Sequence, residues 1–531
     1  MRQIPHSPFF ERSIFCSFLF LIAVACTEQH KQPNQATISI NTDVQAINYN
    51  PMIFGGFLEH FGRQIYGGIY DPGSPLSDDN GFRKDVILAL KELKIPVIRW
   101  PGGCFVSGYH WERGVGMDRT PTDDMAWGVR EPNTFGTDEF VRFCSLVGCE
   151  PYICTNAGNG TVEEMCNWVQ YTNGTSGDYS QLRIENGSIE PLDVRIWSIG
   201  NENYGAWEIG HKPKEQWAQF VLKAAEAMKK VDPQIQLSAA SNEDYAPHLL
   251  DMAGPYLDYI SIHGYPLGRL HEKNEMPDYL SCIIKSENPE KRINSFISIL
   301  ENSGYRGQIK IAFDEWNLRG WHHPGFPRKS VQDYSDPEVK KLVKARENNS
   351  IASQYTMADA LFSASFLNTC LRHSEDVEMA NIAPIVNTRG PLYIHPDGIV
   401  RRTHFHTLSM YVNQLEEQVC KTEVTADGLA CKKDTISVVD AIATVDRKGE
   451  NWAIAMINRH PSEKVSCTVK LGDKLLDGVY KASLLTGDSP DSYNDISHPN
   501  RVITKKVEIA FSNGVTDLSP HSLLIVHVPV K

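Results

Sequence analysis

The chain has 531 residues, of which 41% are hydrophobic and 22% are charged, a composition typical of soluble globular proteins with about two to four domains. Its formal net charge of −13 repels phosphate backbones, so nucleic acid is not an expected partner. The 12 cysteines form no Cys-x-x-Cys pair and no His-Glu-x-x-His motif occurs, which argues against a zinc site.

The first predicted element is an export signal. Arg2 and Arg12 precede an apolar run, residues 14–25, that is too short to span a bilayer and has signal-peptide proportions. Cys26 follows a small residue and precedes polar residues, as the acylated cysteine of bacterial lipoproteins does. We therefore expect residues 1–26 to be a lipoprotein signal of a periplasmic or cell-surface protein that reaches the membrane only through this lipid anchor. A plain secretory signal and an uncleaved anchor are the alternatives.

The next segments predict a linker at residues 27–36 and a strand within residues 37–50. From residue 51 the pattern changes to short apolar strands, which are Ile53–Phe57, Pro96–Trp100, Pro151–Asn156, Val194–Ile199, Gln236–Ala240, Tyr259–His263, Gln308–Phe313 and Val377–Ile382. Helical patterns occur between them at Phe82–Leu93, Glu139–Val147, Val162–Val169, Trp217–Met228, Ile293–Leu300 and Ile351–Leu371.

Eight strands, most of them separated by helices, favour parallel pairing through right-handed crossovers and predict a (β/α)8 TIM barrel over residues 51–404. A doubly wound open sheet is the alternative, but no glycine-rich dinucleotide loop follows the first strand. After residue 404, short strands punctuated by turns predict an all-β sandwich over residues 405–531, which the strand within residues 37–50 would join.

A glutamate lies at the C-terminal end of two predicted barrel strands, the fourth and the seventh. The segment Gly200-Asn201-Glu202-Asn203 follows the fourth strand and predicts either a polar group at the C-terminal rim of the barrel or a helix-capping turn. Glu315 ends the seventh strand and favours the rim, because the two glutamates would then face each other across the barrel mouth. Glycoside hydrolysis needs such a pair, one carboxyl group to protonate the leaving oxygen and one carboxylate to attack the anomeric carbon.

The motifs around these glutamates resemble the α-L-arabinofuranosidases of glycoside hydrolase family 51. The most specific motif is Arg99-Trp100-Pro101-Gly102-Gly103-Cys104. Supporting segments are Gly55–Arg63, Ile65–Tyr70, Tyr109–Trp111, Gly200–Glu202, Phe313–Asn317 and Leu518–Ser522, so the resemblance runs from about residue 40 to the C-terminus. It implies a retaining enzyme that removes terminal non-reducing α-L-arabinofuranosyl groups from arabinan, arabinoxylan or derived oligosaccharides, without a metal or organic cofactor.

The resemblance also implies residue roles. Glu202 would be the general acid/base and Glu315 the nucleophile, with Arg99 keeping the nucleophile ionised. Asn201 would bind the sugar 2-hydroxyl. The remaining residues expected to bind or support the substrate are Glu59, Cys104, His263, Tyr265 and Trp316.

Structural alternatives exist for each supporting residue. Arg99 also fits a structural ion pair, His263 a core histidine and Cys104 a small buried hydrophobe. Glu59 also fits a brace for the first barrel turn, and packing is the default for any one tryptophan. The rivals to the whole prediction are another retaining glycoside hydrolase, such as a xylosidase or endo-glucanase, and a non-catalytic glycan-binding surface lipoprotein.

Two positions depart from the family pattern. Many relatives carry a sugar-binding glutamine where this chain has Pro384, and an aromatic residue where it has Arg319. We expect both departures to affect the pocket rim and leave the two glutamates unaffected. The resemblance also implies a homo-oligomer, which no residue pattern in the chain demonstrates.

Overall fold

The computed structural model describes residues 34–268, 277–320, 337 and 348–529. The predicted signal with Cys26 and most of the predicted linker lie outside the described residues. Among the helices of the described part, none combines the length and the hydropathy that crossing a bilayer requires.

Eight parallel strands close into a barrel, which confirms the predicted fold class. In chain order, β1 to β8 are Gly55–Phe57, Val97–Trp100, Glu150–Cys154, Ile196–Ile199, Gln236–Ala240, Tyr259–Gly264, Lys310–Trp316 and Val377–Ile382. These strands are short, apolar and almost entirely buried, as expected when helices cover the outer face of a parallel sheet.

The described helices α1 to α10 are Lys84–Glu92, Thr137–Val147, Val162–Asn173, Asp178–Glu185, Lys214–Val231, Ala246–Ala253, Tyr279–Ile283, Asn288–Asn302, Met357–Arg372 and Thr403–Gln414. Helix α9 begins later than the predicted residue 351. Thr356 and Asp359 form a capping box there, which satisfies backbone N–H groups of the first turn and fixes the start of the helix.

Strand β7 presents two consecutive acidic residues to the barrel interior. Its register shifts against both β6 and β8 around Asp314 and Glu315. Consecutive strand residues normally point to opposite faces of the sheet, but at a bulge two neighbouring side chains can point to the same face. Both carboxylates therefore reach Arg99 on β2. The predicted strand ended at Phe313, whereas the structure extends it through both acidic residues.

The C-terminal region forms two sheets of a β-sandwich. Its principal strands β9 to β18 are Gln418–Cys420, Thr422–Ala426, Val439–Val445, Asn451–Asn458, Val465–Leu471, Lys474–Leu475, Gly478–Leu485, Lys505–Phe511, Val515–Leu518 and Ser522–Pro529. The N-terminal strand Asn34–Ile40 lies between β10 and β13, and the short strand Ile47–Asn48 pairs with β9. The early part of the chain thus joins the sandwich.

The structure moves two of the predicted domain limits. The N-terminal strand begins at Asn34, so the last residues of the predicted linker belong to the sandwich. The limit after residue 404 falls inside α10, which packs against α9 of the barrel. The change from helix to strand pattern occurs only at Gln418, because α10 precedes the first sandwich strand.

Candidate active site

Glu202 and Glu315 meet at the C-terminal mouth of the barrel. Glu202 lies in the loop after β4 and Glu315 lies near the end of β7. One carboxylate oxygen of each residue and a ring nitrogen of His263 all lie within 4.8 Å of one another. The strand-four and strand-seven placement predicted from sequence therefore brings the two carboxylates together.

The backbone at Glu202 is strained. Glu202 has a φ of 30°, in the left-handed region that side chains other than glycine rarely adopt. Its Oε2 atom accepts a hydrogen bond from Trp207 Nε1 at 2.9 Å, and its Oε1 atom lies 2.8 Å from His263 Nδ1. These contacts hold the carboxyl group at the pocket wall.

Glu315 is held by two donors. Arg99 Nη1 donates to Oε1 at 2.8 Å and the Tyr265 hydroxyl donates to Oε2 at 2.8 Å. The Arg99 side chain is fully buried, and its Nη2 atom also donates to Asn201 Oδ1 at 2.9 Å. The buried guanidinium orients the Glu315 carboxyl group through a charge-assisted hydrogen bond. Four of the predicted residues thus form one hydrogen-bonded unit.

Asp314 supports this unit from below, a role that the sequence did not reveal. Its carboxylate accepts hydrogen bonds from Tyr152 at 2.7 Å and Ser261 at 2.5 Å, and lies 3.3 Å from His263 Nε2. Burial opposes ionisation, but Arg99 and His263 hold the pKa of Asp314 below its ordinary value. The histidine ring is therefore fixed between Asp314 and Glu202.

His263 and Glu202 shift each other's pKa in opposite directions. Burial would lower the pKa of His263, but the carboxylates of Glu315, Asp314 and Glu202 raise it to about 10. Burial would raise the pKa of Glu202, but the hydrogen bond and charge of His263 hold it below its ordinary value. His263 Nδ1 and Glu202 Oε1 lie 2.8 Å apart, so the two groups can exchange a proton directly.

The two glutamates open onto a small cavity of about 240 Å³. The described residues that line it are Glu59, Gly103, Cys104, Trp127, Asn201, Glu202, Trp207, Tyr265, Gly268, Glu315 and Gly320. Pockets for drug-sized ligands begin at about 300 Å³, so this cavity suits a single sugar ring.

Glu59 and Cys104 also line the cavity. Glu59 Oε1 accepts from the Phe105 backbone N–H at 2.9 Å and from Trp127 Nε1 at 2.8 Å. Gly102 permits this approach, since a Cβ atom there would lie 2.3 Å from Glu59 Cγ. Burial raises the pKa of both Glu59 and Cys104 well above the ordinary values.

Trp316 is not among the described residues that line the cavity. Its side chain is almost fully buried and stacks on Phe366 of α9, with ring centroids 3.9 Å apart. It therefore supports β7 from outside the pocket, because the bulge turns the preceding residue inward. Trp207, half exposed at the pocket mouth, is a tryptophan positioned to contact the substrate.

The two departures from the family pattern lie beside the pocket. Arg319 pairs through two hydrogen bonds of 2.8 Å with Asp359 of α9, and both side chains are buried. Pro384 follows β8, and Arg389 donates to the carbonyl oxygen of the adjacent Ala383 at 2.8 Å. The Arg389 guanidinium lies 4.4 Å from the Tyr265 ring centroid. A buried arginine thus approaches the site on the side of β8.

A metal ion could in principle be held by the same group of side chains. Among the described residues, possible ligand atoms lie close enough together only in Glu202, His263 and Glu315. These groups already have other partners. His263 Nδ1 lies within hydrogen-bonding distance of Glu202, and Glu315 accepts hydrogen bonds from Arg99 and Tyr265. The raised pKa of His263 means that a proton occupies the nitrogen a metal would need. The expectation that no metal or organic cofactor is needed stays a prediction.

Two family models match the chain. One is described as "Alpha-L-arabinofuranosidase 1 domain" and matches residues 89–276, and the other as "Alpha-L-arabinofuranosidase C-terminal domain" and matches residues 314–522. The first covers most of the barrel through β6, and the second begins in β7 and continues through the sandwich.

Relatives over nearly the whole chain agree with these matches. Alpha-L-arabinofuranosidase C of Emericella nidulans is 37% identical, over 85% of this chain and 90% of its own. An intracellular exo-α-(1→5)-L-arabinofuranosidase of Acetivibrio thermocellus is 32% identical, over 81% of this chain and 86% of its own. The structure of the family 51 α-L-arabinofuranosidase of Thermotoga petrophila superposes with a TM-score of 0.79 at 32% identity, over 93% of this chain and 100% of that one. The chain belongs to the α-L-arabinofuranosidases of glycoside hydrolase family 51.

Proposed function

We propose that this α-L-arabinofuranosidase hydrolyses terminal non-reducing α-L-arabinofuranosyl groups with retention, Glu315 acting as nucleophile and Glu202 as general acid/base. The observation that carries the proposal is the approach of their carboxylate oxygens to within 4.8 Å. Retaining glycosidases separate their carboxyl groups by about 5–5.5 Å, whereas inverting enzymes need about 6.5–9.5 Å for an intervening water. The small cavity also favours a terminal ring over an internal unit of a polymer.

The first step uses the hydrogen bonds described above. Glu315 attacks the anomeric carbon while Arg99 and Tyr265 keep its carboxylate oriented. The bond to the leaving oxygen breaks, and this oxygen takes the proton that Glu202 shares with His263. A glycosyl ester on Glu315 results. Asn201, at the pocket wall beside Arg99, would bind the sugar 2-hydroxyl and strengthen that contact in the transition state.

The second step reverses the proton transfer. With the leaving group gone, Glu202 is ionised and takes a proton from water as the water oxygen attacks the anomeric carbon. The ester bond to Glu315 breaks, which releases arabinose and restores the carboxylate. The Glu202–His263 pair again holds the proton, ready for another turnover.

The substrate class is tested by profiling sugar release. We expect the wild type to release arabinose from branched arabinan, arabinoxylan and their oligosaccharides, and Glu202→Ala to release almost none from them. A matching panel of aryl glycosides tests the rival activities. Faster hydrolysis of an aryl xyloside or a β-glucan than of the arabinofuranoside would contradict the proposal.

We also infer that the protein is exported and anchored by lipid on Cys26. The support is the sequence of residues 1–26, with its positive start, its short apolar run and its terminal cysteine. Expression with an alkyne-tagged fatty acid in a bacterial host tests this inference. We expect the wild type to be labelled in the membrane fraction and Cys26→Ser to be unlabelled. An unlabelled wild type would contradict the inference.

Assembly into a homo-oligomer is a further proposal, supported by the family resemblance. Sedimentation of the purified protein without its signal tests it. A mass above that of one chain is expected, and a monomer at micromolar concentration would contradict it.

A further inference from the structure

Glu208 is a buried carboxyl group behind the pocket wall that the mechanism above does not use. It lies in the loop after β4 and is 6% exposed. Its Oε1 atom accepts from Asn201 Nδ2 at 2.8 Å, and its Oε2 atom accepts from the Ser107 hydroxyl at 2.8 Å. Glu208 does not line the sugar cavity, so any effect on the reaction passes through its neighbours.

These contacts fix the orientation of the Asn201 amide. Arg99 Nη2 donates to Asn201 Oδ1, so that oxygen must face the guanidinium. Glu208 accepts from Asn201 Nδ2, so the amide nitrogen must face the carboxyl group. One partner is a donor and the other is an acceptor, so the amide cannot be flipped. A flip would place the NH₂ group against the Arg99 guanidinium, where two donors would face each other. The second lone pair of Asn201 Oδ1 and the second N–H of Nδ2 are therefore held in one fixed orientation relative to the sugar.

Glu208 also places a titratable group beside the acid/base. The titratable groups that face it are Cys104 and Glu59 from the loops after β2 and β1, and Glu202 and Tyr204 from its own loop. Burial, with the charge of Glu202 in support, raises the pKa of Glu208 to about 7, against the hydrogen bonds it accepts. Glu208 therefore gains its charge near neutral pH, below the pKa of about 10 of His263.

We propose that Glu208 is a positioning residue of this hydrolase, which orients Asn201 towards the sugar and, when ionised, helps the Glu202–His263 pair to retain its proton. The inference rests on the roles proposed above for Glu202 and Asn201. A negative charge favours the protonated form of a neighbouring group. The carboxylate of Glu208 thus extends the active range of the acid/base towards alkaline pH.

Two substitutions separate the two effects. Glu208→Gln keeps an oxygen that accepts from Asn201 but carries no charge. Its NH₂ group replaces the oxygen that accepts from Ser107, so the Ser107 hydroxyl must turn to accept instead. Glu208→Ala removes the acceptor as well and leaves the Asn201 amide without its partner. Glu131→Gln is the matched control, since Glu131 is a buried carboxylate bonded to His60 and Tyr66 away from the pocket.

The experiment measures kcat and KM against pH for a short arabino-oligosaccharide. We expect Glu208→Gln to move the alkaline limb of kcat/KM to lower pH, and Glu131→Gln to leave it in place. We expect Glu208→Ala to lower kcat by about 10- to 100-fold, since a hydrogen bond to a charged group is lost, with KM changing less. Glutamine should restore most of this loss at acidic pH.

Other outcomes overturn the proposal. An alkaline limb of Glu208→Gln that superposes on the wild type removes the electrostatic role, and equal losses of kcat in the Gln and Ala variants remove the positioning role. Wild type and Glu202→Ala are measured in parallel. If the wild type lacks arabinofuranosidase activity or Glu202→Ala retains it, the proposed function fails instead, which keeps the two failures distinct. Should Glu208→Ala not fold, the pH profile of Glu208→Gln alone decides.

Discussion

His263 Nδ1 lies 2.8 Å from Glu202 Oε1, while Nε2 of the same ring lies 3.3 Å from Asp314 Oδ1. The ring is thus held between the carboxyl group that we propose as acid/base and a second, buried carboxylate. Because Asp314 stays ionised beneath Arg99, the histidine is both oriented and charged. The acid/base of this enzyme is therefore better described as a pair of residues that holds one proton.

His263→Gln tests this pairing. The pair keeps its proton until the pH approaches the His263 pKa of about 10, whereas Glu202 alone would lose it at lower pH. We expect the alkaline limb of kcat/KM to move to lower pH. We also expect kcat to fall by about 10²- to 10⁴-fold for arabino-oligosaccharides, and less for an aryl arabinofuranoside whose good leaving group needs little protonation. Equal losses on both substrates, with an unmoved limb, would show that His263 does not serve the acid.

Arg389 is expected to hold Tyr265 on the nucleophile. Its guanidinium is buried over the Tyr265 ring, and Tyr265 donates to Glu315. Arg389→Met keeps the bulk but removes about 1–2 kcal/mol of cation–π attraction, which corresponds to a fall in kcat/KM of roughly 5- to 30-fold. Steady-state kinetics check this value, and Arg389→Lys should lose less.

A double-mutant cycle with Tyr265→Phe provides the control. This variant keeps the ring beneath Arg389 and removes the hydroxyl that reaches Glu315. If the arginine acts through Tyr265, the two substitutions should be less than additive in the double variant. Full additivity would mean that Arg389 acts by another route.

Asp440 links the barrel to the sandwich. On β11, it accepts hydrogen bonds from Arg372 of α9 at 2.8 Å and from Arg459 at 3.0 Å. Asp440→Ala leaves two cations without their shared partner, and we expect a loss of about 3–5 kcal/mol in the free energy of unfolding at pH 7. Urea unfolding of wild type and variant gives this difference.

The same ion group predicts a pH dependence. Burial opposes ionisation, but Arg372 and Arg459 hold the pKa of Asp440 below its ordinary value of 3.8. A lowered pKa means that this stabilisation is complete above pH 3.8 and is lost as the pH falls through the folded-state value. The stability difference between wild type and Asp440→Ala should therefore narrow on acidification. A difference that does not change down to pH 2 would contradict this account.

Much of the barrel and the reacting pair was predictable from local sequence pattern. Apolar strands that lead into Gly200–Glu202 and Asp314–Glu315 mark the C-terminal rim, because parallel strands of a barrel all end on the same side. The bulge in β7 was not predictable, since it depends on pairing with β6 and β8. Trp316 was expected to bind or support the substrate, and the sequence did not show that its ring stacks on Phe366.

The residues that sequence reasoning missed act through distant partners. Glu208 is separated by only seven residues from Asn201, yet its role depends on Ser107, which is 101 residues away in the chain. Arg389 likewise meets Tyr265 only because the loop after β8 folds over the barrel mouth. A carboxylate or a guanidinium in a loop has no local pattern that distinguishes such a role from a solvent-exposed charge. A buried charge needs a partner, but the sequence does not show which loops are buried.

Trapping the glycosyl-enzyme intermediate tests whether Glu315 is the nucleophile. Glu202→Ala is mixed with a dinitrophenyl α-L-arabinofuranoside, whose leaving group departs without protonation, and the protein is quenched in acid and mapped by mass spectrometry. The account predicts a mass increase of one arabinosyl unit on the peptide that contains Glu315, with the ester on that side chain. An arabinosyl ester on another residue, or arabinose released with inverted configuration and no adduct, would contradict it.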